Sequence, residues 1–234
     1  INYFDTAALY GNGASETNLG RILRKLKPKD CIVGTKVRLP AADLARIGPA
    51  IEASLEASLK RLGADQVDIF HLHNTIRTAG GGDTLAAEQA LGEVVPAFEK
   101  LRQQGRIRFL GVTAVGDTEA LQRVIDARVF DSAQVVYNLL NPSAGGAMPG
   151  GLPGQDYGGL LMRCATAGVG VVGIRVLAGG TLSGSTERHP IASPPPVPIG
   201  SAASYDDDLR NARRFLPLVE SGEVGSLAEA ATRF

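Results

Sequence analysis

Cysteine is scarce in this 234-residue chain: Cys31 and Cys164 are the only two, and each lies in an apolar run. Two isolated thiols exclude a disulfide framework and point to buried cysteines in a reducing compartment, for which the cytosol is the default. Net charge is absent as well. Twenty-four basic residues balance twenty-four acidic ones, so no field favours a polyanion or an anionic membrane face, and a small neutral substrate fits better than nucleic acid. No apolar run reaches the ~20 residues that a membrane span needs, and no secretory signal opens the chain. What is present is ordinary globular material, 44% apolar and 21% charged, enough to bury a core.

Strand-length apolar runs alternate with helical stretches. INYFD (1–5) reads as a strand ending in a glycine-bearing loop. A helix follows to about Lys25, with Ser15 as its expected N-cap and Glu16 in the first turn. CIVGTKV (31–37) is the next strand. In PAIEASLEASLKRLG (49–63), Ile51, Leu55, Leu59 and Leu62 recur at helical spacing, with Pro49 near the start and Gly63 at the C-terminal cap. VDIFHLH (67–73) is a third strand, and Leu91, Val94, Val95, Phe98 and Leu101 form the stripe of a helix ended by Gly105. IRFLGVT (107–113), AQVVYN (133–138) and VGVVGIR (169–175) complete six strands, with helices at 117–128 and 157–167 between them. Strands rich in Val, Ile and Leu on both faces indicate a parallel sheet covered by helices. Two stretches break the rhythm, NPSAGGAMPGGLPG (141–154) and ASPPPVPIG (192–200). They read as linkers or as the rim of a substrate site, and their place beside strand ends favours the rim.

In a β/α barrel the catalytic groups come from strand ends at one face. Here those ends carry Asp5, Lys36, His73, Thr113, Gln134 with Asn138, and Arg175, and Tyr10 lies in the first loop. Taken singly, each has a bland reading: a loop acid, a rim aromatic, a solvated lysine, a hydrogen-bonded core histidine. His71, two residues from His73 on the same strand, is expected about 6 to 7 Å deeper as a buried, hydrogen-bonded support. His189 reads as loop structure or substrate rim. Neither has metal-ligand spacing with enough partners, and no metal is expected.

FDTAALYG followed by SETNLG resembles the signature of the aldo-keto reductases. VGTKV, VDIFHLH, GRIRFLGVT, QVVYNLLN and VLAGGTLSG resemble the family's later blocks, in order and across nearly the whole chain. The resemblance implies one (β/α)8 TIM barrel domain over 1–234, with strands 2 to 7 visible and strands 1 and 8 not seen in the chain. It also implies NADP as cofactor, with NAD the alternative, and hydride transfer to or from the carbonyl or alcohol carbon of an aldehyde, ketone or sugar-like substrate.

The family's tetrad falls on Asp5, Tyr10, Lys36 and His73. Reduction of a carbonyl needs a proton at oxygen, and a phenol with a cation beside it can supply one. Tyr10 is the expected acid, Lys36 and Asp5 tune it, and His73 orients the carbonyl. Cofactor contacts are expected from Thr113 and Gln134, with Ala114 departing from the family's asparagine. Further contacts are expected from Ile174, Arg175, Leu177, Gly179 and Leu182. Two rivals stay open: a lysine that forms a Schiff base, as in class I aldolases, at Lys36, and a non-catalytic nucleotide-binding sensor or subunit.

Overall fold

The computed structural model describes residues 1–192 and 194–234; Ser193, in the proline-rich stretch, lies outside the described residues. Chain order runs β1 (Tyr3–Asp5), α1 (Ala14–Leu26), β2 (Ile32–Val37), a 3-10 turn (Ala41–Arg46) leading into α2 (Ile47–Leu62), and β3 (Val67–Leu72). Two short strands, β4 (Ile76–Arg77) and β5 (Leu85–Ala86), precede α3 (Ala87–Gln89), which passes through a π-helical stretch (Ala90–Val94) into α4 (Val95–Gln103). Then come β6 (Ile107–Ala114), α5 (Thr118–Asp126), β7 (Ser132–Val136), α6 (Leu160–Ala167) and β8 (Gly170–Ile174). The remaining helices are two 3-10 turns (Ala178–Ser183 and Pro190–Ala192), α7 (Tyr205–Ala212), a 3-10 turn (Arg213–Phe215), α8 (Leu216–Glu220) and α9 (Leu227–Arg233).

One six-stranded sheet has the order β1-β2-β3-β6-β7-β8. The pairs β1/β2, β2/β3 and β3/β6 are parallel, with Asp5 opposite Gly34, Lys36 opposite His71, and His71 opposite Gly111. The chain divides into two compact units, Ile1–Gln134 with Cys164–Val171, and Val135–Arg163 with Val172–Phe234.

In the first unit, α2 forms where its apolar spacing requires it. Ile51, Leu55, Leu59 and Leu62 are all buried, each contributing about 2 kcal/mol through the area it removes from water. Gly63 ends the helix in the left-handed region, its N–H donating to the Leu59 carbonyl at 2.8 Å, as the glycine cap predicts. Phe70 of β3 and Phe98 of α4 pack with ring centroids 5.0 Å apart and join the sheet to that helix. Both faces of β2 are covered from Gly34 to Val37, which is why its sequence is apolar without alternation.

Two local expectations, the Ser15 cap and the burial of Cys31, are corrected here. Helix α1 starts at Ala14 behind Gly13 with no side-chain cap, and the Ser15 hydroxyl instead meets Thr6 Oγ1 at 2.8 Å. Glu16 stands in the first turn of α1 as expected, and it is fully buried there. Cys31 is only half-buried, whereas Cys164 is buried.

The second unit centres on Leu140, Ala178, Leu182, Ala212 and Ala231, with Leu139 and Phe215 against them. The Gly- and Pro-rich stretch from 141 has no regular structure, yet its start is pinned by asparagine. Asn141 Nδ2 donates to the Gln155 carbonyl at 2.8 Å, and its Oδ1 accepts from the Ser143 N–H at 3.0 Å and hydroxyl at 2.6 Å. Asn138 holds the Arg175 carbonyl at 2.9 Å and accepts the Leu140 and Asn141 amides, both at 3.0 Å. A side-chain amide that imitates a backbone turn explains why a glycine-rich segment follows a fixed path there.

Candidate active site

The ends of β1, β2 and β3 bring the four tetrad residues of the sequence analysis together. Lys36 is the centre. Its side chain is 0% exposed, and its ammonium donates to Asp5 Oδ2 at 2.5 Å and to the Thr6 carbonyl at 2.8 Å. The same ammonium stands 4.8 Å from the centroid of the Tyr10 ring, inside cation-π range. Tyr10 is 42% exposed, so the phenol meets solvent while the cation beneath it does not. His73 lies edge-on to Tyr10, with ring centroids 6.1 Å apart at 84°.

Asp5 is held by more than lysine. Its Oδ1 accepts from Gln134 Nε2 at 2.7 Å and from the Tyr3 hydroxyl at 3.3 Å. Thr113 Oγ1 reaches Gln134 Oε1 at 3.4 Å, and both Thr113 and Gln134 are buried. The two cofactor candidates in this unit are therefore joined to the tetrad through Asp5. Burial, then the Asp5 carboxylate, pushes the Tyr3 phenol up to about 12, which keeps it a neutral donor.

Tyr3 and Asn74 are partners that sequence reasoning missed. Tyr3 shares the face of Asp5 by strand alternation, a signal that was available. Asn74 has no such signal, because its partners are distant in sequence. It is buried, receives the Leu39 amide at 2.8 Å, and donates to the carbonyls of Leu39 at 2.7 Å and Asp83 at 2.8 Å. With the His73 amide bonded to the Val37 carbonyl at 2.8 Å, it fixes the chain on both sides of the His73 ring.

His71 differs from expectation. It is buried, but neither ring nitrogen has a partner at hydrogen-bonding geometry, and the Nδ1 of His73 has none either. The Thr35 backbone lies near enough to favour the His71 cation slightly, but burial dominates and lowers His71 to about 4. Burial, then the Lys36 and Arg38 cations, lowers His73 to about 4. Both imidazoles are therefore neutral at neutral pH. Space for the His71 ring comes from Gly111, where an added Cβ would lie 2.3 Å from His71 Cδ2.

A stability prediction follows with a definite sign. An unfolded histidine titrates near 6.5, so between about pH 6.5 and 4 the unfolded chain binds more protons than the folded one, and stability falls as pH falls. A shift of that size corresponds to about 3 kcal/mol at most. His71→Leu is expected to flatten the unfolding free energy over this window, leaving the smaller slope due to His73, as measured by urea unfolding at successive pH values.

In the second unit, Arg175 adopts a left-handed backbone with φ 60°, a conformation uncommon outside glycine. Gly179 and Gly180 also have positive φ inside the 3-10 turn that follows. Leu177 is partly exposed, and Ile174 is half-buried. Leu182 is fully buried in the apolar cluster of that unit, so its side chain serves packing. Among the described residues no group of three or more His, Cys, Asp or Glu could hold a metal ion, and no helix is long and apolar enough to cross a membrane.

The family model described as "Aldo/keto reductase family" matches residues 1–234. The chain belongs to the aldo/keto reductase family. It is 32% identical over 198 residues to L-galactose dehydrogenase of Arabidopsis thaliana, covering 83% of this chain and 57% of that protein. It is 30% identical over 217 residues to D-threo-aldose 1-dehydrogenase of a Pseudomonas species, covering 81% of this chain and 59% of that protein. The chain thus spans under three fifths of the length of these two relatives.

Among solved structures, the holo form of an aldo-keto reductase from Bacillus halodurans superposes with a TM-score of 0.67 at 24% identity, over 99% of this chain and 67% of that one. An aldo/keto reductase from Klebsiella pneumoniae, in complex with NADP and acetate, gives a TM-score of 0.60 at 22% identity, over 97% of this chain and 63% of that one. Likeness at that level carries the fold. The aldo/keto reductase fold is an eight-stranded β/α barrel, and the six-stranded sheet is consistent with it.

Proposed function

We propose that this aldo/keto reductase transfers hydride between NADP(H) and the carbonyl or alcohol carbon of an aldehyde, ketone or sugar-like substrate, with Tyr10 as general acid and base. The observation that carries the reading is the pairing of a fully buried Lys36, bonded to Asp5, with a half-exposed Tyr10 ring 4.8 Å away. The family match from residue 1 to 234 supports treating the chain as one domain of that family, its six sheet strands taken as the second to seventh of the barrel. The two sugar dehydrogenases among the relatives support an aldose, oxidised at its anomeric carbon, as a substrate to try first.

The donor set suits the cofactor. Thr113 and Gln134 offer a hydroxyl and an amide, buried and linked to Asp5, of the kind that recognises a carboxamide. The cofactor contacts assigned by family resemblance to Ile174, Arg175, Leu177 and Gly179 belong to the same proposal, and that of Leu182 falls to its backbone, since its side chain is buried in the core of its unit. When bound, the nicotinamide supplies or accepts the hydride. In the reducing direction the Tyr10 phenol gives its proton to the carbonyl oxygen, and in the oxidising direction it takes one from the alcohol. Lys36 stabilises the phenolate that results, since a cation at this distance favours the charged form. Asp5 holds the ammonium in place. Neutral His73 orients the substrate oxygen by hydrogen bonding without adding charge.

The same geometry counts against a Schiff base at Lys36. Such a lysine must be deprotonated and open to a carbonyl carbon, whereas this one is inaccessible and ion-paired. The test follows NADPH absorbance with a panel of aldehydes and ketones, and NADP+ reduction with a panel of aldoses, with borohydride trapping in parallel. Turnover in either direction is expected, without covalent trapping at Lys36. Tight NADPH binding with no turnover on any substrate would replace the proposal by a nucleotide sensor.

A further inference from the structure

A second ion pair, between a buried carboxylate and a half-buried arginine, lies outside the tetrad. Glu16, in the first turn of α1, is fully buried, and its two oxygens are both used: Oε2 accepts from Arg61 Nε of α2 at 2.6 Å and Oε1 from Thr35 Oγ1 of β2 at 2.5 Å. Arg61 also donates to the Ser58 hydroxyl at 3.0 Å. Carrying such a pair is a poor way to gain stability, because desolvation of the Glu16 carboxylate, and in part of Arg61, offsets much of their attraction. Its position is more informative than its energy.

Thr35 and Lys36 are neighbours on β2, so their side chains point to opposite faces. Glu16 therefore grips the back of the strand whose front presents the ammonium. From Glu16 the connection runs to the loop that carries Tyr10. Ser15 Oγ meets Thr6 Oγ1 at 2.8 Å, the Ser15 amide donates to the Tyr10 carbonyl at 3.2 Å, and the Thr6 carbonyl accepts from Lys36. Arg61 closes the other side. A Cβ at Gly13, where φ is 87°, would lie 2.7 Å from Arg61 Cδ, so the end of the loop rests directly on the arginine stem.

We propose that Glu16 and Arg61 are positioning residues, whose ion pair anchors loop 6–13 to β2 through Thr35 and so holds the Tyr10 phenol at Lys36. The inference rests on Tyr10 being the acid and base. Its sensitivity follows from geometry: a displacement of about 1 Å at the reacting group can lower a rate by 10²-fold.

The decisive variant replaces the pair by apolar residues, Glu16→Leu with Arg61→Met. It is expected to lower the thermal midpoint only by the cost of leaving the buried Thr35 hydroxyl without its acceptor, to lower kcat by about 10- to 100-fold with KM nearly unchanged, and to speed amide hydrogen exchange in residues 6–13 but not in 107–114. Placed in a Tyr10→Phe background, the same replacement is expected to lower the residual rate by no more than about threefold, because both changes act through one group. A purely structural role would instead multiply the two losses, and that result, or unaltered exchange in 6–13, overturns the proposal. Should the apolar pair fail to fold, Arg61→Lys keeps the charge without the guanidinium fork and is expected to give the same pattern at smaller size; an exchange rate and kcat equal to the parent's would overturn it. If the parent and Tyr10→Phe turn over equally, the catalytic reading fails, and the exchange data still decide whether the pair holds the loop.

Discussion

Tyr10→Phe is expected to lower kcat by about 10²- to 10⁴-fold, the range for removal of a positioned proton donor, and to leave the thermal midpoint almost unchanged. Both halves follow from the same geometry. The Tyr10 ring is what His73 meets edge-on and what Lys36 faces, and phenylalanine retains that ring. Only the hydroxyl is lost, from a side chain that is 42% exposed, where substitutions usually change stability by less than about 0.5 kcal/mol. Cofactor affinity and KM are expected to stay within a few-fold, since an interaction made only in the transition state appears in kcat. Steady-state kinetics, fluorescence titration with NADPH and a thermal melt check the three parts. A variant that keeps the parent's kcat removes Tyr10 from the mechanism.

Asp5→Asn is expected to give the second large effect, with stability and activity falling together. Without the carboxylate, Lys36 is an ammonium with no exposed surface, left with the Thr6 carbonyl and a neutral amide. Asp5 itself is 30% exposed, so screening reduces the cost of stranding the lysine to on the order of 2 kcal/mol, which a urea midpoint would register. Activity is expected to fall by at least about 10²-fold, because the charge that favours phenolate is no longer held in place. The double variant Asp5→Asn with Lys36→Met separates the two causes. The introduced amide can still accept from Gln134 and Tyr3 through its oxygen, and methionine fills the lysine channel without a charge. Most of the lost stability is expected to return while turnover does not. If turnover returned as well, Lys36 would be a packing residue.

The sheet and its long helices were legible because burial on both faces leaves continuous apolar runs, and because Ile51, Leu55, Leu59 and Leu62 repeat at the pitch of a helix. That Asp5, Tyr10, Lys36 and His73 would cluster was legible by resemblance and by their place at strand ends. What escaped were properties set by distant neighbours. Ser15 has the chemistry of an N-cap, and Thr6, nine residues earlier, takes its hydroxyl instead. Glu16 keeps its place in the first turn of α1, but its partners Arg61 and Thr35 lie too far along the chain to be read locally. A hydrogen-bonding partner is the ordinary expectation for a buried histidine such as His71, but the strand register sets it between Lys36 and Gly111, and glycine offers room without a polar atom. The short helices α7 and α8 follow a segment dense in proline and glycine, where local composition gives no period to count.

Gly111 and His71 also constrain what the chain can become. An imidazole lies where the neighbouring strand's side chain would otherwise begin, so the two positions share one volume and cannot vary independently. A methyl group at 111 demands a smaller residue at 71, and a smaller residue at 71 removes the imidazole that pairs with Lys36 across β2 and β3. Any engineered change of volume at this level is therefore a paired substitution, and the order in which its two steps are made decides whether the intermediate is overfilled or hollow.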